Sequence, residues 1–300
     1  MRTVRRFLRE RSAVAGASFV IVLVLAAVIG PFLDAIPPNV IDHALIGFPQ
    51  PPSAAHWLGT DLIGRDEFIR ALYGARVSLL VGASAMLVSF AIGIFYGAIA
   101  GAASGAVDNL MMRFVDAMLS FPTFFLLLIV AALTEKFSLS IIILIIGLTS
   151  WPGLARLVRA EVLSLRERDF VEAARALGAS PLRLVVRHLI PNALAPVVVA
   201  AAFAIGDNIL AESSLSFFGL GVQPPAPSWG NMLQDALTPQ AEAAPWMVLV
   251  PGLGIVATVL AFSVIADGIR VALDTSIGQE TGDADVEEVG PYNPVPAPAS

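Results

Sequence analysis

Six stretches of this chain are too apolar and too long to be left in water. The first, Ala13 to Leu33, and the second, about Ser78 to Ala103, contain no charged residue. The third runs from about Ala117 to Leu133, the fourth from about Ser138 to Leu154, the fifth from about Ala193 to Phe218 and the sixth from about Trp246 to Ala266. A helix needs ~20 apolar residues to cross ~30 Å of hydrocarbon, so the third and fourth are short by that measure. Only 14% of the 300 residues are charged, against about 25% in soluble domains. Such a chain cannot cover a water-facing surface. The expected fold is all-α: a polytopic membrane protein with six transmembrane helices. Residues 1–75 form an N-terminal arm, the first span and an external loop. Residues 76–270 form the core, and residues 271–300 form a tail.

Arginine and lysine orient the spans. With the N-terminus in the cytosol, the inner segments hold Arg2, Arg5, Arg6, Arg9, Arg11, Arg113, the seven arginines from Arg156 to Arg187, and Arg270. The outer segments hold Arg65, Arg70, Arg76 and Lys136. This bias places both termini in the cytosol. The three arginines before the second span fit it least. A cleaved signal peptide is the alternative for the first segment, but its apolar run exceeds the ~7–15 residues of a signal core, so a retained anchor is expected. The Pro-rich stretch from Pro37 to Pro52 belongs outside. The tail from Ser276 is acidic and rich in Gly and Pro, the composition of a disordered segment. The formal charge is −6, and the tail carries most of it. No basic surface for nucleic acid is visible. The absence of cysteine excludes disulfides, thiolate metal sites and cysteine nucleophiles.

The second span carries Ala85, Ser89, Gly93, Gly97, Gly101 and Gly105 at intervals of four. Small residues at this spacing let helix backbones approach closely, either within the chain or against a second subunit. Asp207, Asn208 and Glu212 fall near the middle of the fifth span. Intramembrane carboxylates are costly and usually face a bundle interior or a wet cavity. They either line a translocation path or make structural hydrogen bonds, for instance Glu212 to Ser213, Ser214 or a neighbouring helix. Beyond this span, Trp229, Met232, Leu233, Ala236 and Leu237 mark one apolar helix face. Ser228 is available as its cap, and Pro224, Pro225 and Pro227 precede it. A short helix in the outer interface is expected, as a plug or an external docking surface around Gln223, Pro224, Pro225 and Trp229.

The segment between spans four and five reads as two short helices. Asp169 caps the first, with Glu172 at the third position as in a capping-box variant. Gly178 stands where a positive-φ residue would end that helix. Ser180 caps the second, with Pro181 in its first turn. Leu182, Val185, Val186 and Leu189 form its apolar face, and Pro191 separates it from the fifth span. A helix–turn–helix of this kind suits docking to a soluble partner.

Glu172-Ala173-Ala174, Gly178 and Ile190-Pro191 resemble the EAA loop of ABC importer permeases, here about residues 159–192. The general pattern has Ile where this chain has His188, and Leu where it has Ile190; His there is familiar in the peptide-importing branch. The stretches LGTDLIGRDEFIRALYGARVSLLVG, MMRFVDAMLSFP, WPGLARLVRAEVLSLRERDFVEAARALGAS, LSFFGLGVQPPAPSWGNML and IADGIRVALD resemble the dipeptide/oligopeptide/nickel permease family, C-type subunit. Glu67, Phe68 and Ile69 depart from its usual aliphatic-aliphatic-Ser. The resemblance implies a type I ABC importer permease fold and half of a translocation channel in a bacterial or archaeal cytoplasmic membrane. It also implies a homologous B-type permease, two cytosolic ABC ATPases that hold ATP and Mg, and an extracytoplasmic substrate-binding protein as partners. Glu172, Ala173, Ala174 and Gly178 would dock in an ATPase groove.

The chain offers no catalytic, cofactor or metal site of its own. Its only lysine, Lys136, stands outside any Gly-x-x-x-x-Gly-Lys-Ser/Thr pattern, so ATP hydrolysis is expected in partner subunits. No His-Glu-x-x-His occurs, and His43, His56 and His188 all fall in loops, which argues against an intramembrane protease. Peptide is favoured over nickel because no His, a preferred nickel ligand, lies in a span. A nickel or other small-solute importer, a secondary transporter or channel subunit, and a membrane scaffold are the alternatives.

Overall fold

The computed structural model describes residues 2–33, 37–103, 105–133, 138–238 and 243–273. The acidic tail from Ser276 and Lys136 lie outside them. Of the described residues, 77% are helical. In chain order the helices are α1 (Arg2–Phe7), α2 (Arg11–Leu33), α3 (Glu67–Ala102), α4 (Ala106–Ser120), α5 (Thr123–Ala132), α6 (Leu139–Arg166), α7 (Asp169–Ala176), α8 (Pro181–Leu184), α9 (Ile190–Phe217), α10 (Trp229–Asp235) and α11 (Trp246–Leu273). Five helical stretches are long and apolar enough to cross a membrane: α2, α3, α6, the run Pro181–Phe217, and α11. The third expected span, about Ala117 to Leu133, is bent. α4 and α5 meet at 84°, across Phe121 and Pro122. Pro122 has no N–H to carry a helix onward and pushes Phe121 into an extended conformation (φ −88°, ψ 133°).

The centre of the bundle is the α3–α6 pair. A Cβ placed on Gly93 would stand 2.7 Å from Leu154 Cβ, and one on Gly101 would stand 2.9 Å from Val162 Cβ. Ala85, Ser89 and Ala98 on the same helix are fully buried. The small-residue stripe is therefore used within this chain, as lipid supplies no hydrophobic drive and close backbone approach must replace it. Gly105 leaves the stripe: its φ of +69° makes it the turn into α4. Large apolar residues such as Val22, Leu87, Phe95 and Leu253 stay more than half exposed, which a lipid-facing surface permits.

Two helices extend well past the apolar runs that announced them. α3 begins at Glu67 because Asp66 accepts the N–H groups of Phe68 and Ile69. The second span thus starts eleven positions earlier than expected. α6 continues through Pro152 to Arg166, whose guanidinium donates to the carbonyls of Gly101 and Ala103 at the end of α3.

The structure corrects three local expectations. Asp169 does not cap α7: Arg168 holds the cap position without a side-chain hydrogen bond. Asp169 becomes the first helical residue, and its charge meets the positive helix terminus directly. Pro191 does not separate a loop helix from the fifth span. A π turn, Val185–Leu189, bridges α8 and α9, with the Ile190 N–H donating to Val185 O. That wider turn carries the chain past a proline lacking a donor. It also rotates the buried face, so Leu184 and Leu189 are buried while Leu182 is 74% and Val186 55% exposed. Finally, α10 does not lay its apolar face in the outer interface. Trp229 and Met232 are 2% and 1% exposed and pack with Ala27, Ala75, Ile209 and Ile255.

Candidate functional site: a coupling end and a capping end

α7 stands at one end of the bundle and α10 at the other. At the α7 end, a Schellman closure terminates the first loop helix. Gly178 takes φ +82°, its N–H donates to Arg175 O, and the Ala179 N–H donates to Ala174 O. Only glycine adopts that φ without strain. Ser180 then accepts the Arg183 N–H, and Pro181 opens α8. The expected turn and second cap are both present.

Val171 and Leu184 fix this unit to the bundle. Val171 is fully buried against a cluster containing Val158, Val162, Leu184, Leu189 and Ala193. The rest of α7 faces outward. Glu172, Ala173, Gly178, Ser180, Pro181 and Pro191 are exposed, and Ala174 and His188 are partly buried. Leu177 is 89% exposed. The His188 carbonyl accepts the Asn192 amide at 2.6 Å. The unit thus presents a short helix and bare leucines to solvent while resting on the ends of α6 and α9. A pair of charge-assisted bonds braces the same end. Arg159 Nε and Nη2 donate to the two oxygens of Asp108 on α4, both at 2.6 Å. Sequence reasoning did not foresee this pairing of residues 51 positions apart.

The fifth-span cluster separates into two kinds of residue. Glu212 is fully buried, with Oε2 accepting from Ser78 on α3 at 2.7 Å and Oε1 from Ser216 at 2.7 Å. Asn208 is buried too; it donates to Gly82 O and accepts from Ser150. These contacts match the structural alternative for both side chains. Asp207 is the member left exposed. Ser78 was a missed partner. The signal for it was present, as Ser78 is a hydroxyl at the edge of a span rich in apolar residues.

At the α10 end, Ser228 and Asn231 form a reciprocal capping box. Asn231 also donates to the carbonyls of Val222 and Ala226, tying the preceding loop to the helix. The Trp229 indole donates to Ala71 O at 3.2 Å, so Trp229 is an internal anchor and leaves the expected docking surface. Gln223, Pro224 and Pro225 are exposed above it.

Known proteins agree with this architecture. Residues 93–279 match the family model described as binding-protein-dependent transport system inner membrane component. Residues 1–52 match the model of the N-terminal TM domain of oligopeptide transport permease C. The chain is 38% identical over 273 residues to the dipeptide transport system permease protein DppC of Bacillus subtilis, covering 91% of this chain and 84% of that one. It is 38% identical over 270 residues to the oligopeptide transport system permease protein OppC of Haemophilus influenzae, covering 90% and 86%.

Proposed function

Because the chain belongs to the family of binding-protein-dependent transport system inner membrane components, we propose that it is one of two permease subunits of an ATP-driven importer of di- and oligopeptides. One observation carries the mechanism. The short helix α7 is held by the fully buried Val171 and the partly buried Ala174, closed by Gly178, and exposed elsewhere at the end of the long rods α6 and α9. A soluble partner that grips α7 moves those rods as a unit.

In this reading both termini and the α7 end face the cytosol. Each of two ABC ATPases takes one such loop, from this chain or from a homologous B-type permease. ATP and Mg bind to the ATPases, and this chain supplies no group to the hydrolysis. Glu172 meets basic groups of the ATPase, Ala173 and Ala174 allow close approach, and the exposed leucines fill its groove. The α10 end faces outward, where Gln223, Pro224 and Pro225 receive the loaded substrate-binding protein. The solute passes between the two permeases. Asp207 lines that path, while Asn208 and Glu212 hold its wall together. The identity of two peptide-transporting relatives favours peptide over nickel.

The test is uptake into proteoliposomes holding both permeases, the ATPases and the binding protein. A labelled dipeptide should accumulate with ATP and without an ion gradient. Accumulation of nickel alone, or uptake driven by a gradient with the ATPases absent, would overturn the reading.

A further inference from the structure

Five charged side chains meet where α3 begins and α10 ends. Asp61, Glu67 and Arg70 are 1%, 2% and 2% exposed. Arg65 and Asp235 complete the group, so three carboxylates face two guanidiniums. Asp61 is fully engaged: it accepts the N–H groups of Ile63 and Arg65 and pairs with the Arg65 guanidinium. Asp235 Oδ2 takes Arg65 Nη2 at 2.7 Å and Arg70 Nη2 at 2.8 Å. Two atoms are left over. Glu67 Oε2 and Arg70 Nε are buried with no hydrogen-bond partner among the described residues. The nearest paired oxygen to Arg70 Nε is Asp61 Oδ2, at 3.7 Å.

Glu67 and Arg70 are three residues apart, hence on one face of α3. A buried carboxyl oxygen and a buried guanidinium N–H without partners are each costly, and here they sit one helical turn apart. Asp235, by contrast, is the last residue of a seven-residue helix, with its side chain 40% exposed. The other end of α10 is fixed by Trp229.

We propose that Glu67 is the alternate seat for Arg70, so that the five charges form an exchangeable latch on the C-terminal end of α10. When Asp235 holds Arg70, the latch is closed and Glu67 waits. When the Asp235 end of α10 swings out about Trp229, Arg70 turns to Glu67 and no buried guanidinium is stranded. The unmatched third carboxylate is what lets α10 move without the penalty of an uncompensated charge. The latch rests on these contacts; its use during docking of a binding protein rests on the importer reading above.

The chain has no cysteine, so one added thiol reports the motion. Met247 is 1% exposed and packs against Ala236, the residue closing α10, and Leu62. In lipid nanodiscs holding both permeases and the ATPases, maleimide labelling of Met247→Cys should be slow. Adding Asp235→Asn should raise the rate by about tenfold, as it removes a charge-assisted pair. Adding Glu67→Gln, which removes the alternate seat at constant size, should lower it below the parent. Glu67→Asp keeps the charge and should label like the parent. If Asp235→Asn leaves the rate unchanged, or if Glu67→Gln labels like the parent, the proposal fails. Failure of peptide uptake would strike the importer reading alone, because the labelling comparison needs neither substrate nor ATP.

Discussion

The Ser78 hydroxyl donates to Glu212 Oε2 at 2.7 Å, joining α3 to α9 across 134 positions of sequence. Ser216 donates to the other oxygen from the same helix. Glu212→Ala would leave both hydroxyls without that acceptor in a buried site, a loss of about 1–3 kcal/mol. Ser78→Ala should cost less, about 0.6 kcal/mol, the average for interhelical hydrogen bonds in membranes. Thermal unfolding of the purified subunit in detergent ranks the two. An unchanged midpoint for Glu212→Ala together with lost transport would instead place Glu212 in the path.

Gly93 faces Leu154 where the backbones of α3 and α6 nearly touch. Gly93→Val should destabilise the chain by about 1–3 kcal/mol through overpacking. Gly153→Ala is the control, since a Cβ there meets nothing within 4 Å. The yield of monodisperse protein checks the pair. Equal yields would mean that α3 and α6 are not held at this distance.

Asp108 and Arg159 form a two-bond fork between α4 and α6. Asp108→Asn should weaken it by about 1–2 kcal/mol. Exchanging the partners, Asp108→Arg with Arg159→Asp, should recover part of the loss. A double-mutant cycle read by thermal unfolding measures the coupling. Additive losses would show that the fork contributes nothing to holding α4.

Gly178 holds φ +82° with open space around its Cα. The cost of Gly178→Ala is therefore conformational alone, about 1–2 kcal/mol. It should loosen α7 locally, seen as faster amide hydrogen exchange over residues 169–180 with the spans unaffected. Unchanged exchange would mean that the turn does not depend on glycine.

Much of this was legible in the sequence because it is local. Apolar runs placed the spans, the four-residue stripe in α3 announced close packing, and Gly178 and Ser180 announced a turn and a cap. What escaped depends on partners far along the chain or on competition between neighbours. Arg65 and Arg70 fitted the charge bias poorly because their partner Asp235 lies 170 and 165 positions away. Charges that read as a span boundary are instead folded into the start of α3. Arg168 and Asp169 both sit at a helix start, and backbone hydrogen bonding to the Arg168 carbonyl chose the one that the capping pattern did not. The π turn before Pro191 leaves no mark in a pattern of period 3.6. Trp229 looked like an interfacial residue because an aromatic at a helix start reads the same whether lipid or protein covers it.

The central claim is that α7 transmits a partner's motion to the spans. The most direct test is ATPase activity of the complete complex in lipid, with and without loaded binding protein, for the wild type, Glu172→Arg and Gly178→Pro. Glu172 is exposed, so its reversal leaves the fold alone, while proline cannot adopt the φ of Gly178 or replace its N–H. The account predicts stimulation in the wild type that is lost in both variants, with the complex still assembled for Glu172→Arg. Assembled variants that are stimulated like the wild type would contradict it, and would show that coupling runs through another part of the chain.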